Sequence, residues 1–217
     1  MDASRIAQLL EPFLGESTLS TNQLQSISTY IDILQRWNAR INLTAIRNPD
    51  EIVQRHFGES LLAARHLFPS GHAYDASSAV NPVELADVGS GAGFPGIPIK
   101  LWAPAIALTL IESSHKKATF LREVTRALTL MNIDIKNVRA ESLRDKKFDV
   151  VTLRAVECFE STLPIVANLL NPNGRLALLI GSSQLPTAQG TLSSVRWSDP
   201  VSVPGSTSRV LLVGTTA

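Results

Sequence analysis

Residues 84–98 read ELADVGSGAGFPGIP, a short apolar run, then four glycines within eight residues, then apolar residues again. Leu85, Ala86 and Val88 suit a buried strand, the glycines a tight loop, and the stretch from about Pro95 a helix. Such a junction belongs to an α/β sheet and brings backbone, free of Cβ atoms, close to a ligand. The chain beyond it agrees. Apolar runs at Val83–Val88, Ala107–Ile111, Ile133–Val138, Phe148–Leu153 and Arg175–Ile180 alternate with helical patterns, notably Lys116–Leu130 and Cys158–Leu170. Alternation of this kind predicts a Rossmann-like sheet with parallel central strands, right-handed crossovers and helices on both faces. The segments Val195–Val203 and Arg209–Val213 are separated by a Pro-Gly-Ser turn without a helix, which predicts a terminal antiparallel hairpin.

The N-terminal third has a different period. Leu24, Ile27, Ile31 and Leu34 recur at helical spacing behind Ser20 or Thr21 as N-cap, predicting a helix to about Asn38. A second helix is expected over Asp50–Leu67, after Pro49, with Ile52, Val53, Phe57, Leu61 and Leu62 on one side. Residues 1–67 thus read as a helical lobe, the turn-rich stretch 68–83 as a linker, and 84–217 as the Rossmann-like domain. A chain of 217 residues with 44% hydrophobic content closes one substantial core with room for such a lobe. There is no run of about 18 apolar residues and no secretory pattern at the N-terminus, so a cytoplasmic protein without a membrane segment is expected. The single cysteine, Cys158, is expected to be buried packing, and no Cys/His spacing suggests a structural metal.

Charge narrows the nucleic-acid question. A net charge of +1 carries no footprint of a general nucleic-acid binder, so any such contact is local. Residues 112–147 hold nine Lys/Arg against five acids, a surplus of four, which fits either a solvated surface or a phosphate contact.

The loop's ligand follows from its neighbours. Gly91-x-Gly93-x-x-Gly96 also satisfies the dinucleotide fingerprint. Asp87, however, gives a D-x-G-x-G-x-G form that resembles class I methyltransferases, in which the acid lies near the methionine end of S-adenosyl-L-methionine (SAM). Pro95 and Pro98 leave fewer N–H groups to meet a pyrophosphate. Glu112, 23 residues beyond Gly89, ends the second strand, where a carboxylate can accept both hydroxyls of a ribose. A helix-start acid before Ser113 and Ser114 is the structural alternative.

Two distant motifs together resemble the RsmG (GidB) family of 16S ribosomal RNA guanine-N7 methyltransferases. One is WNARINLTAIRNPDEIVQRHFGESL at 37–61, and the other is DVGSGAGFPGIP at 87–98, supported by LIES at 110–113 and TLRAV at 152–156. The resemblance implies a SAM site with contacts at Gly89, Phe94, Ala140, Glu141 and Arg154 and puts the second-strand acid on Glu112, to which the loop form adds Asp87, Gly91 and Gly93. It implies an RNA partner, 16S ribosomal RNA or the small ribosomal subunit, and a monomer is expected. Glu59 stands where the family has Asp, Lys116 or Lys117 where an Arg is common, and Ile180 where the family tends to have Lys. Arg47, Arg55, His56, Lys116, Lys117 and Arg139 are candidate RNA contacts. Their structural alternatives are pairing of Arg47, Arg55 and His56 with Asp50 and Glu51, and of Arg139 with Asp145. Trp37 and Asn38 read as packing and turn residues.

Guanine N7 has an in-plane lone pair and no proton, so no general base is required. Positioning and exclusion of water then carry the reaction. Arg154, at the carboxyl end of a central strand, is the candidate catalytic positioning residue, with a pair to Glu157 as its structural alternative. The rival readings are a methyltransferase for another RNA or a small molecule, an NAD(P)-dependent oxidoreductase, and a non-catalytic RNA-binding protein. No Tyr/Lys or His/Asp hydride-transfer set supports the oxidoreductase.

Overall fold

The computed structural model describes residues 1–69, 82–143, 146–156 and 158–217. Most of the expected linker and both Asp145 and Glu157 lie outside them. Five parallel strands, β1 (Glu84–Val88), β2 (Ala107–Ile111), β3 (Ile133–Lys136), β4 (Phe148–Arg154) and β5 (Leu170–Gly181), form the body of the sheet in the order β3-β2-β1-β4-β5. The order reverses between β1 and β4, and a doubly wound sheet binds its ligands at the carboxyl ends beside such a reversal. On the far side β8 (Arg209–Thr215) runs antiparallel to β5. The hairpin is present, but its first arm is broken into β6 (Arg196–Trp197) and β7 (Val201–Ser202), both paired with β8. Pro200, between them, has no N–H for a ladder. β5 begins five residues before the expected run, where Pro172 and Gly174 mask the strand pattern.

Alternation along the strands sorts the two cores. Leu85, Val150, Ala177 and Leu179 face one side and join the N-terminal helices in a single cluster. Ala86, Val151, Leu176 and Leu178 face the other and pack with α7 (Phe159–Ala167) and α8 (Leu185–Thr191), the latter not anticipated from the pattern. α5 (Gly96–Trp102) and α6 (His115–Ala127) complete the layer on the first side.

The N-terminal helices are α1 (Ala3–Leu14), α2 (Thr21–Asn38), α3 (Pro49–Ile52) and α4 (Glu59–Leu67). α1 escaped the sequence reading. α2 starts at Ser20, whose side chain accepts from the Gln23 N–H while Gln23 reaches back, a capping box. Its apolar stripe, Ile27, Ile31 and Leu34, is at most 1% exposed, and each such side chain stabilises the fold by roughly 1.5–3 kcal/mol. The expected Asp50–Leu67 helix is interrupted at Val53–Gly58 by a π-helical turn. The wider turn draws both His56 and Glu59 inward to 8% and 1% exposure. Gly58 lies under the Phe13 ring, where a Cβ would approach to 2.7 Å and force α1 away.

Candidate active site

The glycine loop is held by its own strand ends. Gly89 and Ser90 donate through their backbone N–H groups to the Ile111 carbonyl at 2.9 and 3.1 Å, tying the loop to β2. Gly89, Gly91 and Gly93 all have positive φ (68°, 55° and 85°), the left-handed region that favours glycine. Their surroundings differ. A Cβ on Gly91 would meet nothing nearer than 3.7 Å, and one on Gly89 only Val156 at 3.0 Å, so the backbone of both is open on one side. A Cβ on Gly93 would collide with the Tyr30 hydroxyl and Ile97, so Gly93 serves close packing with α2.

Asp87 and Thr152 are register partners on β1 and β4 and share a face, so the Thr152 hydroxyl donates to Asp87 Oδ1 at 2.8 Å. Asp87 Oδ2 accepts the Gly96 N–H at 3.2 Å, which fixes the start of α5. Its carboxyl is fully buried, and burial raises its pKa to about 6 against the pull of these hydrogen bonds. Glu112 Oε2 accepts the Gly91 N–H at 2.9 Å and Oε1 the Ser114 N–H at 2.7 Å. Its carboxylate therefore stands at the loop and at the start of α6 together, the second being the structural alternative read from the sequence. Each oxygen keeps lone-pair capacity for a further donor.

Phe94 anchors the loop to the helical lobe. Its ring stacks on Tyr30 at 5.2 Å and on His56 at 4.7 Å, and meets Phe57 edge-on at 5.1 Å. Pairs of this kind add roughly 0.5–1.5 kcal/mol each beyond area burial. With the ring so occupied, backbone is what Phe94 offers a ligand.

Arg154 leaves β4 into a buried ionic cluster. Its Nη2 lies 3.2 Å from Glu59 Oε2, donates to the Arg55 carbonyl at 2.7 Å, and donates to His56 Nδ1 at 3.1 Å. Glu59 Oε2 also takes Arg209 Nη2 at 2.5 Å. The Arg154 side chain is 8% exposed, and its Nε is buried with no hydrogen-bond partner. A buried, unsatisfied N–H of a charged group marks a place where an acceptor is wanted. Burial raises the Glu59 pKa although Arg154, Arg209 and Arg55 all lower it. Pairing of Arg154 with Glu157 lies outside the described residues.

Arginine only donates, so His56 Nδ1 accepts, the proton sits on Nε2, and Nε2 donates to Thr44 Oγ1 at 2.7 Å. Burial first, then Arg154, Arg55 and Arg209, lowers the His56 pKa from 6.5 to about 3. A histidine whose folded pKa is depressed contributes stability that is present above 6.5 and is lost as pH falls towards about 3. Wild-type protein should therefore lose stability faster than His56→Gln between pH 6.5 and 4.5 in thermal melts, and the imidazole NMR shifts of His56 should not titrate between pH 8 and 5. Parallel pH profiles of the two proteins would contradict this.

The remaining candidates are spread around this centre. Arg47 donates to the Asn38 carbonyl at 2.8 Å and to Asn42 Oδ1 at 3.2 Å, so it braces the 38–47 loop, whereas Asp50 pairs with Arg5. Asn38 accepts from Leu43 and Thr44 N–H groups, and Trp37 Nε1 donates to Glu123, which are packing and turn roles. Arg55 is exposed and has no ion pair or side-chain hydrogen bond among the described residues. Lys116 is exposed and Lys117 half-buried on the first turn of α6. Ala140 and Glu141 follow β3 beside exposed Arg139, and they line a separate cleft of about 480 Å³ with Lys147 and Asn168. Cys158 corrects an expectation. It is exposed, with φ 54°, because it precedes α7 rather than lying within it.

Arg209 is the member of the ionic cluster that the sequence did not single out, and Glu59 entered there only through the family resemblance, without its partners. An arginine heading the apolar run VLLV was the available signal. In register Arg209 lies opposite Gly181, next to Ile180, so a cation stands beside the position where the family tends to carry lysine. Among the described residues no group of His, Cys, Asp or Glu is arranged to hold a metal ion, and no helix is long and apolar enough to cross a membrane.

The family model described as rRNA small subunit methyltransferase G matches residues 23–201. A protein named ribosomal RNA small subunit methyltransferase G from Stenotrophomonas maltophilia is 35% identical over 207 residues, covering 92% of this chain and 90% of its own length. Another of that name, from Halorhodospira halophila, is 39% identical over 163 residues, covering 75% and 72%. Among solved structures, magnesium protoporphyrin IX methyltransferase from Synechocystis with bound SAM superposes with a TM-score of 0.64 at 12% identity, covering 88% of this chain and 97% of that one. A ribosomal protein L11 methylase from Lactobacillus delbrueckii gives 0.59 at 20% identity, covering 75% and 79%. At such identities the likeness shows the class I methyltransferase fold.

Proposed function

The chain belongs to the GidB family of small-subunit ribosomal RNA methyltransferases, and from that premise we propose that it transfers a methyl group from SAM to N7 of a guanine in 16S ribosomal RNA. The observation that carries the reading is the placement, at the carboxyl ends of the adjacent strands β2, β1 and β4, of the Glu112 carboxylate, an open glycine backbone and Arg154 with its buried, unsatisfied Nε. Glu112 has lone pairs for ribose hydroxyls, Gly89 and Gly91 let a ligand approach the backbone, and Arg154 Nε offers a donor to a carboxylate or to a guanine edge. These residues fit SAM, whose sulfonium supplies an electrophilic methyl group when bound.

What remains for the protein is placement. Guanine N7 presents its lone pair without a proton to remove, so no side chain acts as a base. Glu59, Arg209 and the Arg55 carbonyl fix the Arg154 guanidinium before substrate arrives, which reduces reorganisation in the reaction. The Phe94 stack against Tyr30 and His56 keeps the loop attached to the helical lobe. The same reading takes the protein as a cytoplasmic monomer acting on the small subunit, with Arg55, Lys116, Lys117 and Arg139 as surface contacts to phosphate.

The test is methyl transfer from labelled SAM to small-subunit particles and to RNA from cells lacking the protein, followed by mapping of the labelled base. Label at one guanine N7 is the expected result. SAM binding in calorimetry without label in either substrate would keep the cofactor and remove the RNA assignment.

A further inference from the structure

Two cavities adjoin at the carboxyl end of the sheet, and they share one wall. The inner, named for its side towards the glycine loop, whose Gly89 it meets through Val156, is about 300 Å³, lies over the ends of β4 and β5 and is lined by Leu153, Val156, Phe159, Leu179 and Ile180. The outer, about 500 Å³, lies between α1, the π-turn and the turn before β8, with Phe13, Val203 and Pro204 as apolar surface and Gln54 and Ser206 as polar groups. Arg55, Ser208 and Arg209 line both. We propose that the two cavities take two consecutive nucleotides of one RNA strand, the target guanine inside and its neighbour outside, with the phosphodiester between them against Arg55 and Arg209. This rests on the function proposed above.

Charge decides what goes where. The Arg209 side chain is 23% exposed and has one terminal nitrogen on Glu59, while Arg55 is exposed without an ion pair among the described residues. Two guanidiniums on a shared wall suit a phosphate that has a base on either side. The outer cavity itself is lined by Glu51 and Glu59, which disfavour a phosphate within it, whereas its apolar surface and amide and hydroxyl groups suit the face and edges of a base. A small-molecule substrate would fill the inner cavity and leave the outer one without an occupant.

The experiment uses an RNA fragment containing the target guanine, in intact form and with an abasic site on either side of it. It measures kcat/KM for wild type and for Gln54→Trp, whose exposed side chain would fill the outer cavity. For wild type, an abasic site on one side should lower kcat/KM about tenfold or more and on the other side less than twofold. Gln54→Trp should fall about tenfold on intact RNA, become indifferent to the sensitive abasic site, and keep SAM affinity within twofold. Arg55→Ala, which removes no ion pair or side-chain hydrogen bond among the described residues, should lower the slope of log affinity for RNA against log salt by about one. Tolerance of abasic sites on both sides, or wild-type kcat/KM in Gln54→Trp, overturns the two-cavity inference while labelled RNA still supports the proposed function. Wild-type protein that labels no RNA overturns both.

Discussion

Gly89→Asp should bind SAM at least about 100-fold more weakly than wild type, a loss of about 2.7 kcal/mol, while remaining folded. Gly89 sits at φ 68°, where aspartate is among the better tolerated substituents, so the backbone strain is on the order of 1–2 kcal/mol. The space beside it holds only Val156, 3.0 Å from where a Cβ would stand, and a small shift of a valine methyl relieves that contact. A carboxylate at this point would project from the open side of the loop, into the path by which a ligand reaches the backbone. It would add negative charge near Asp87 and Glu112 and repel the carboxylate of the methionine end. Gly89→Ala is the control, since it carries the strain without the charge and should lose much less affinity. Calorimetric titration with SAM beside a thermal melt separates the two effects. Unchanged affinity in Gly89→Asp would remove this loop from the cofactor site.

The loop was legible in the sequence because its information is local. Strand, glycines and helix follow one another within 15 residues, and the strands after it are short apolar runs whose pattern survives in the fold. Yet the four glycines looked alike in sequence and have different reasons in the structure: Gly93 makes room for Tyr30 of α2, and no periodicity announces a contact from so distant a residue. The π-turn was invisible for a related reason. Val53–Gly58 carries an ordinary helical pattern, and it is the closeness of Phe13 to Gly58 and of Phe94 to His56 that accompanies the wider turn. For Cys158 residue type points to burial, whereas its position just ahead of α7 decides its exposure. Arg209 and Glu59 are 150 residues apart, and only the antiparallel insertion of β8 beside β5 brings them together.

That pairing supports the second large effect. Glu59→Ala should destabilise the protein by about 3–5 kcal/mol, lowering Tm by roughly 10 °C, because it leaves two guanidiniums facing each other without their shared carboxylate. Burial already raises the Glu59 pKa against three nearby arginines, so the cluster is costly to assemble and costlier to break. The Arg154 side chain is 8% exposed and cannot easily turn to water, whereas Arg209, at 23%, recovers part of its hydration. Arg209→Ala should for that reason cost only about 1–2 kcal/mol, since the Arg154–Glu59 pair stays balanced. Glu59→Gln separates charge from volume. It keeps the side-chain shape, so if charge balance is what matters it should come close to Glu59→Ala in denaturant melts. A Glu59→Gln protein within about 1 kcal/mol of wild type would mean that the cluster tolerates its two cations unneutralised. The fixed orientation of Arg154 would then come from neutral acceptors alone, the amide oxygen at position 59, the Arg55 carbonyl and His56.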